Sequence, residues 1–440
     1  MRPYKLTILI LLCSHLFWAG CEKNIVDFNK DALVTVKTPS ITSDSYTSII
    51  ATRKDASAEI TLKYFDPGLL YKERNYSVYP DYYEVYLSKD EGTSWEMIRT
   101  LDTTFINRSF TIPGLVNGNL YYIYLKETYS KTKSAKNTNV ALFVPSAFKP
   151  AYSLILTNYS DNDLYSFDWN SSNNDIVYAT TYYEFKPGYA AASLFISQSD
   201  NEQQLVDINA WFPHFNKDGT KISYSSDKGE IFDGKLMPEH IAIYDVNTKT
   251  TNRITTGYSV NRYPVWSPDN SKIAFSYSEK SDESLRIALL NSDTHSRKIL
   301  QTESGLNQKI LSYSQIRPAW SADGKHIYYT LWFSTDSNIN PGLYDIYRIG
   351  TNGGIPEPVL DSPWIECTPV MSPDNSKIAF LSDFRGKLQI WVYDYTNNKL
   401  NQPFDTDIYS FDVVWSQLKW KNNNTILFAN RDGLYSISVE

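Results

Sequence analysis

The sequence predicts an all-β protein that consists largely of a six-bladed β-propeller, preceded by a smaller β-sandwich. Two observations carry this prediction. A short strand–turn–strand motif returns six times at a spacing of about 50 residues, and a segment of short strands without that motif comes before it. Because a unit this short cannot bury its own apolar face, six copies at a steady period indicate blades packed side by side.

The motif is clearest in two copies, at residues 263–275 and 368–380. They read Tyr-Pro-Val-Trp-Ser-Pro-Asp-Asn-Ser-Lys-Ile-Ala-Phe and Thr-Pro-Val-Met-Ser-Pro-Asp-Asn-Ser-Lys-Ile-Ala-Phe. Pro with Asp-Asn or Asp-Gly favours a tight turn, and the flanking β-branched and aromatic residues favour strands. A looser copy covers 317–329, and weaker copies complete the set of six.

One aromatic residue or Met, which we call the anchor, holds the same place in every copy. The anchors are Trp169, Phe215, Trp266, Trp320, Met371 and Trp420. They are separated by 46, 51, 54, 51 and 49 residues, which leaves room for a third and a fourth strand after each hairpin. Four-stranded units of this size are typical of propeller blades rather than of solenoid coils.

The sixth copy is followed by a third strand at residues 433–438 but by no fourth. The segment 152–157, just ahead of the first copy, has the composition of a strand. We expect it to complete the last blade, because a borrowed strand closes the ring and covers the last open edge. The propeller is therefore predicted to span 152–440.

These repeats resemble the TolB-type propeller repeat, whose hallmark turn is Pro-x-Trp-Ser-Pro-Asp-Gly-x-Lys-Ile-Ala-Phe. The resemblance covers roughly residues 150–440 and implies the fold. It does not imply one function, because a single architecture serves many.

The N-terminus has the pattern of a bacterial export signal. Two basic residues within the first five precede an apolar stretch, residues 6–18, that is too short to span a bilayer comfortably. The small residues before Cys21 resemble a lipoprotein signal, in which the cysteine becomes the lipidated first residue. The resemblance implies a signal peptide over 1–21, a tether over 22–34 and, because no Asp follows the cysteine, an outer-membrane address on either face. An ordinary signal peptide with a chance cysteine is the alternative.

Residues 35–146 lack the propeller motif and contain several short alternating strands with regular turns. This pattern predicts a β-sandwich. Leu115 and Tyr121, six residues apart with Asn-Gly between them, resemble the tyrosine corner of fibronectin type III domains, which have an immunoglobulin-like fold. Residues 147–151 have the composition of a short, stiff linker.

Charge and cysteine content exclude some classes of function and of structure. A net charge of −7 argues against a nucleic-acid surface, because nothing would neutralise the phosphates. Cys13 lies in the signal peptide and Cys21 would carry lipid, so Cys367 is left without a partner and no intramolecular disulfide is expected.

The sequence shows no catalytic or metal-binding motif. The histidines are His15, His214, His240, His295 and His326, and no two of them have metal-ligand spacing. There is no Gly-x-Ser-x-Gly nucleophile motif and no Gly-rich phosphate loop. We therefore expect no catalytic residue, no metal and no cofactor. The turn aspartates are expected to bond their own backbone rather than to bind calcium; they are Asp218, Asp269, Asp323 and Asp374.

Long insertions indicate where a ligand would bind. The Ser-Pro-Asp turns mark one rim of the predicted ring and stay short, whereas the connections on the opposite rim, the long-loop face, grow long and aromatic. Variable loops on a rigid frame are a usual place for binding. The aromatic residues of the long-loop face are Tyr182, Tyr183, Phe185, Tyr189, Trp332 and Phe333.

Residues at or near the start of the first strand of each blade form the predicted channel mouth. They are Tyr165, Trp211, His214, Arg262, Tyr263, Arg317, Trp364 and Glu366. Arg262 and Arg317, from neighbouring blades, suit a carboxylate-bearing or sugar-like ligand or a partner peptide when aromatic residues lie beside them. Packing and salt links between blades are the alternative interpretation.

These features predict a non-catalytic lipoprotein of the cell envelope whose propeller binds a protein partner on the long-loop face. A surface glycan-binding lipoprotein of a polysaccharide-uptake system is the first alternative, favoured by the Tyr and Trp residues of that face. A propeller polysaccharide lyase or hydrolase is the second. In each case the membrane is contacted only through the lipid anchor, and no nucleic acid is bound.

Overall fold

The structure is a computed structural model that describes most of the chain. The residues it describes are 34–35, 41, 43, 45, 47–64, 80–102, 109–130, 133–148, 152–157, 164–182, 191–197, 203–227, 231–232, 235–236, 239–257, 259–279, 285–300, 317–333, 343–362, 364–384, 386–403, 417–430 and 433–439. The predicted signal peptide and nearly all of the tether lie outside them. The described elements are all strands, so this part of the chain holds no apolar helix of membrane-spanning length. Two compact units are present, built mainly from residues before Phe148 and from Phe148 onward.

The first unit is a β-sandwich. Strand β1 (Val34–Thr35) belongs to neither of its two sheets, whose strands are β2 (Thr47–Lys54), β3 (Ser57–Tyr64), β4 (Tyr82–Ser88), β5 (Glu96–Asp102), β6 (Ser109–Pro113), β7 (Tyr121–Tyr129), β8 (Ser134–Asn137) and β9 (Ala141–Phe143). One antiparallel sheet has the order β2-β3-β6, and the other has the order β5-β4-β7-β8, with β9 also paired to β7.

Both sheets of the sandwich send side chains into one core. Along β6, buried Phe110 and Ile112 alternate with exposed residues, and they join Val85 of β4 in the same apolar cluster. The Tyr121 hydroxyl accepts a hydrogen bond from the Val116 backbone N–H at 2.9 Å, the contact that defines a tyrosine corner. The two sheets therefore form a β-sandwich, whereas its assignment as an immunoglobulin-like, fibronectin type III-like domain stays a prediction.

The second unit contributes four strands to each of six antiparallel sheets, which are the predicted blades. Its strands are β10 (Tyr152–Thr157); β11 (Leu164–Trp169), β12 (Ile176–Tyr182), β13 (Ala191–Ser197) and β14 (Gln203–Ile208) of blade one; β15 (Ala210–Phe215), β16 (Lys221–Ser226), β19 (His240–Asp245) and β20 (Thr250–Arg253) of blade two, with a separate hairpin of β17 (Ile231–Phe232) and β18 (Lys235–Leu236); β21 (Val260–Trp266), β22 (Lys272–Ser278), β23 (Arg286–Asn291) and β24 (Arg297–Ile299) of blade three; β25 (Ala319–Trp320), β26 (His326–Phe333), β27 (Leu343–Gly350) and β28 (Glu357–Asp361) of blade four; β29 (Glu366–Met371), β30 (Lys377–Ser382), β31 (Gln389–Asp394) and β32 (Lys399–Asn401) of blade five; and β33 (Gln417–Asn422), β34 (Thr425–Asn430) and β35 (Gly433–Ser438) of blade six.

Apolar cores lie between neighbouring blades rather than inside any one of them. Val177 and Leu194 of blade one, for example, share a cluster with Ile222 and Tyr224 of blade two. The first strands of blades one, two and three contact one another in turn, as do those of blades four, five and six, and β33 of blade six contacts β11 of blade one. Each blade is therefore stabilised by its neighbours, as expected for units too small to bury an apolar face alone.

The ring closes where the sequence predicts. Strand β10 pairs with β35 as the fourth strand of blade six, with Ser153 opposite Ser436 and their hydroxyl oxygens 2.9 Å apart. Gly433 is required at the end of this pairing, because a Cβ there would lie 2.4 Å from the Leu156 carbonyl oxygen. The predicted six-bladed ring and its borrowed strand are confirmed.

The turn that follows each anchor is held by its own side chains. Ser267 Oγ donates to Asp269 Oδ1 at 2.6 Å, and the same oxygen accepts the Ser271 backbone N–H at 3.0 Å. The Ser267 hydroxyl, followed by the Ser271 N–H, lowers the pKa of Asp269 to about 2. Asp323 and Asp374 accept the equivalent bonds, so these three aspartates bond their own turns as expected.

Asparagine side chains connect the turns of neighbouring blades. Asn270 and Asn375 have φ of 61° and 59°, in the left-handed region that Gly and Asn tolerate. Unlike Gly, they also carry a side chain: Asn270 Oδ1 accepts the Lys217 backbone N–H at 2.8 Å, and Asn375 Oδ1 accepts that of Ala322 at 2.7 Å. Asp218 departs from the other turn aspartates, because it accepts a bond from the Asn270 amide at 2.7 Å.

Candidate functional site

A cavity of about 530 Å³ lies where the first strands of all six blades meet. This volume falls within the range of ligand pockets. Its lining residues stand between three positions before and two positions after the anchors. The cavity therefore extends toward the rim that carries the Ser-Pro-Asp turns.

The floor residues stand three positions before the anchors and close the other end of the cavity. They are Phe212, Tyr263, Arg317, Thr368 and Gln417. Phe212 and Tyr263 are only 7% and 4% exposed, and their ring centroids lie 4.3 Å apart. The Arg317 guanidinium lies 4.9 Å and 5.2 Å from the same two centroids, a cation–π arrangement that packs the floor tightly.

A repeated β-bulge aims three of the floor residues at the axis. Phe212, Tyr263 and Thr368 each precede a Pro at a register shift in their strand, and their φ values are 55°, 56° and 56°. A left-handed conformation costs a bulky or β-branched residue of the order of 1–3 kcal/mol. Hydroxyl groups of the preceding blade accept the three backbone N–H groups; they are those of Ser166, Ser225 and Thr330, at 2.9, 3.1 and 3.1 Å. These bonds offset part of the cost.

The wall residues stand one position before the anchors. From blade one to blade six they are Asp168, His214, Val265, Ala319, Val370 and Lys419. Blades six, one and two, which are neighbours in the ring, supply the three polar residues, which we call the polar arc. Blades three, four and five supply the three apolar ones, the aliphatic arc. The wall thus has two chemically different sides.

Asp168 organises the polar arc. Its side chain is fully buried, and Oδ1 is paired with the ammonium of Lys419, a side chain that is 25% exposed. Oδ2 accepts the Phe215 backbone N–H at 2.7 Å and lies 3.8 Å from His214 Nδ1. One buried carboxylate therefore fixes groups from blades six and two.

His214 is held as a neutral acceptor. Its Nδ1 lies 2.8 Å from the Phe215 carbonyl oxygen and 3.4 Å from the Trp266 backbone nitrogen. The shorter contact requires a proton on Nδ1, because a carbonyl oxygen can only accept, so Nε2 is the acceptor of the neutral ring. Nε2 makes no hydrogen bond to the described residues. Burial lowers the pKa of His214 to about 4, with Asp168 opposing the shift and Lys419 adding to it.

This shift predicts a pH dependence of stability. Because the native pKa of His214 lies below the ordinary value of about 6.5, the unfolded chain binds a proton that the native state does not. Stability present above about pH 6.5 is thus lost as the pH falls toward 4, by about 2 kcal/mol at about pH 5. In urea unfolding, the free energy of unfolding of His214→Gln should fall by about 2 kcal/mol less than that of the unmodified chain between about pH 6.5 and about pH 5. If the free energy of unfolding changes equally with pH in the two proteins, the assignment is contradicted.

The cavity carries positive charge in a chain whose net charge is negative. Lys217, Arg317, Lys419 and Lys421 line it, whereas Asp168 is the one carboxylate that the described residues bring to it. With His214 neutral, the lining has an excess of three positive charges, against −7 for the whole chain. Lys421 lies 5.4 Å from the Trp169 ring centroid, and Lys217 Nζ contacts no carboxylate in the described part of the chain. An anionic ligand would be attracted here.

The structure brings three of the eight predicted channel-mouth residues to this cavity, namely His214, Tyr263 and Arg317. Trp211, Arg262, Trp364 and Glu366 are not among its lining residues. Arg262 pairs instead with Glu239 at 2.8 Å, and Glu366 is completely buried. Tyr165 lies in β11, but its side chain lies outside the described set. The ligand-binding role of all eight stays a prediction.

The predicted aromatic residues of the long-loop face fall outside the described residues. This applies to Tyr183, Phe185 and Tyr189 as a whole, and to the side chains of Tyr182, Trp332 and Phe333. Cys21 is likewise outside. Cys367 is buried, and burial raises the pKa of its thiol to about 12. Within the described ranges no group of three or more His, Cys, Asp or Glu side chains is placed to hold a metal ion.

Sequence reasoning missed the charged groups that give the cavity its character. Asp168, Lys419, Lys217 and Lys421 were not selected, because each is unremarkable in its own copy of the motif. The usable signal lies across copies: the position before the anchor is Asp, His or Lys in three blades and Val or Ala in the others.

The fold and the cavity together define a six-bladed β-propeller with a cationic central pocket. No protein-family model matches the chain. A stretch of 143 residues is 29% identical to a protein named TolB homolog from Chlorobium luteolum, which amounts to 32% of this chain and 28% of that protein. The matched stretch thus spans little more than a quarter of that relative's length, and it bears out the resemblance to TolB seen in the repeats.

Solved structures also match the chain at low sequence identity. TolB from Acinetobacter baumannii is 16% identical, with 74% of this chain and 77% of that chain covered and a TM-score of 0.41. An oligogalacturonate lyase in complex with manganese is 15% identical, with 73% and 86% covered and a TM-score of 0.42. An acylaminoacyl peptidase from Pyrococcus horikoshii is 13% identical, with 61% and 43% covered and a TM-score of 0.41. Proteins with such different names do not indicate an activity for this one.

Proposed function

We propose that this chain is an exported, lipid-anchored protein of the cell envelope whose propeller binds a segment of a protein partner in the central cavity and catalyses no reaction. The observation that carries the proposal is the cavity itself. It combines an excess of positive charge with an aliphatic arc, at the place where six paired strands converge.

The frame of the cavity is suited to binding. Every lining segment belongs to, or adjoins, a strand paired within a blade, and the anchor rings fix blade to blade. Trp320 Nε1 donates to the Val265 carbonyl and Trp420 Nε1 to the Val370 carbonyl, both at 3.0 Å. A site that is already ordered loses little conformational entropy when a ligand enters.

The proposed location rests on the sequence pattern that ends at Cys21. Lipidation of Cys21 would place the chain at a membrane surface through its anchor alone. The outer membrane is the proposed address, and either of its faces is compatible with the pattern.

The proposed binding position differs from the one expected from loop length. The sequence favours the long-loop face, whose aromatic side chains lie outside the described residues. The cavity instead extends toward the Ser-Pro-Asp turns, where Lys217 and Lys421 line its mouth above the aliphatic arc. We therefore place the partner on the turn side.

Photo-crosslinking in cells tests this function. A benzophenone amino acid would replace Ala322 at the mouth of the cavity or Ala319 in its wall, with Ile355 as the matched control because its side chain is 73% exposed and lies outside the lining. We expect discrete, protease-sensitive adducts from the first two positions and none from the third. Absence of adducts at both cavity positions would overturn the proposal. Adducts that resist protease and contain carbohydrate would favour glycan binding instead.

A further inference from the structure

We infer that the outer face of the sandwich sheet β5-β4-β7-β8 binds a neutral oligosaccharide, through stacking on aromatic rings and hydrogen bonds to an ion pair. The apolar part of this surface, which we call the outer strip, is formed by Tyr82, Tyr86, Trp95 and Met97. The site lies on the first unit, so it adds a second binding function to the one proposed for the propeller. The alignment of the rings, the turn that holds Trp95 and the charge of the surface each support it.

Two tyrosines of the outer strip are aligned along one strand. The core-facing residues of β4 alternate with Tyr82, Glu84 and Tyr86, which therefore point away from the core. Tyr86 pairs in register with Tyr124 of β7, and the two rings stack with their centroids 5.0 Å apart and their planes at 7°. Tyr82 and Tyr86 are both partly exposed and stand about 14 Å apart along the strand. Two stacking positions on one line suit a chain of sugar rings.

A hydrogen-bonded turn holds Trp95 beside these rings. The Ser94 hydroxyl and backbone N–H donate to the Asp90 carboxylate at 2.6 and 2.9 Å, and the Ser88 hydroxyl donates to it at 2.7 Å. These bonds, those of Ser94 first, lower the pKa of Asp90 to about 2. Trp95 follows directly and meets the Tyr124 ring edge to face, with the centroids 4.7 Å apart. A partly exposed ring is thus ordered before a ligand arrives, which lowers the entropic cost of binding.

An ion pair stands between the two tyrosines. Lys126 Nζ lies 2.9 Å from Glu84 Oε2, and the two side chains are 37% and 20% exposed. The hydrogen bond to Glu84 raises the pKa of Lys126, so the ammonium stays charged and balances the carboxylate. An ammonium has three donors and a carboxylate has two acceptor oxygens, so the pair can bond further groups. Sugar hydroxyl groups both donate and accept and match such a pair, whereas a charged ligand would gain no net attraction.

The size of the outer strip favours a small ligand over a protein. Its three aromatic side chains are mostly buried, and Met97 is 51% exposed. Because an aromatic side chain contributes about 150–250 Å² when it is buried completely, the exposed remainder is far below the roughly 800 Å² that a stable interface buries on each partner. It is sufficient for sugar rings, whose C–H groups form an apolar face that packs on an aromatic ring.

Calorimetric titration of the purified full chain tests the inference. The probes are neutral hexasaccharides of β-linked glucose, xylose, mannose and galactose. We expect at least one of them to bind with a Kd of about 10 µM to 1 mM, as is usual for a shallow surface with few contacts. If none of the four binds at about 10 mM, the inference is wrong.

Matched variants locate the binding. Tyr86→Ala and Trp95→Ala each remove a ring and should weaken binding of the neutral probe at least about tenfold. Trp95→Phe keeps a ring on the turn and should bind within about threefold of the unmodified chain, which separates stacking from damage to the fold. Tyr393→Ala is the control, because Tyr393 is partly exposed and packs edge to face on Tyr395 in blade five; binding should stay within about twofold. Unchanged binding in both alanine variants of the strip would overturn the inference.

Crosslinking in cells separates a sugar from a protein on this face. A benzophenone amino acid in place of Met97 should give no protease-sensitive adduct, and such an adduct would show a protein partner here and contradict the inference. Ala319 and Ala322 report on the propeller cavity in the same experiment. Loss of their adducts would therefore refute the proposed function without affecting the sugar site, and failure of the titration would refute the sugar site alone.

Discussion

Lys419→Met is expected to lower the free energy of unfolding of the propeller by about 3 kcal/mol or more. The reason is Asp168, whose side chain is fully buried and whose Oδ1 has no described donor other than the Lys419 ammonium. Removing one partner of a buried ion pair leaves an uncompensated charge, which costs about 3–5 kcal/mol. Urea unfolding followed by tryptophan fluorescence measures the change.

Two further variants separate the buried charge from other effects of losing Lys419. Adding Asp168→Asn removes the charge and keeps an acceptor for the Phe215 N–H, so the double variant should recover about 2 kcal/mol relative to Lys419→Met. Lys421→Met removes the neighbouring cation of blade six, which packs over Trp169, and should cost less than about 1 kcal/mol. If Lys419→Met lowers the free energy of unfolding no more than Lys421→Met does, the buried Asp168 carboxylate does not need the Lys419 ammonium for its stabilisation.

A disulfide across the ring closure is expected to give the largest gain in stability. Ser153 and Ser436 lie directly opposite each other in β10 and β35, at a cross-strand separation compatible with a disulfide. Replacing both with Cys would close a loop between positions 283 residues apart, which stabilises by up to about 5 kcal/mol. Differential scanning calorimetry should show the propeller transition about 5–10 °C higher under oxidising conditions.

Reduction provides the control for the same variant. With reductant present, the transition should return to within about 2 °C of the unmodified chain, and either single Cys variant should show no gain. Cys367 should not compete for the new thiols, because burial raises its pKa to about 12 and keeps it protonated. A disulfide that forms without raising the transition would show that the ring does not open at the β10–β35 pairing.

More of the propeller fold than of the site could be predicted from the sequence. The anchors and turns repeat because every blade packs against its neighbours in the same way, so the six copies predicted both the fold and the borrowed strand. The β-bulges at Phe212, Tyr263 and Thr368 could not be predicted. The left-handed residues precede Pro, and a residue before Pro locally prefers an extended backbone. Hydrogen bonds to hydroxyl groups of the preceding blade stabilise the bulges, and these bonds exist only in the folded ring.

Site residues were harder to predict because the site is assembled across blades. Arg317 was selected as a channel residue, but its stacking on Phe212 and Tyr263 joins three blades and cannot be read from any one. The pairing of Asp168 with Lys419 joins positions 168 and 419, which become neighbours only when the ring closes. Sequence spacing carries no information about such a pair until the number of blades is known.

By itself, the sequence determined the number of blades, the turn chemistry and the strand that closes the ring, because these follow from local patterns repeated at a fixed period. The tertiary structure alone decided that the position before each anchor becomes a wall with a charged side and an aliphatic side. The physical reason is that closing the ring places blade six beside blade one, and so unites into one cationic pocket side chains that the chain keeps far apart.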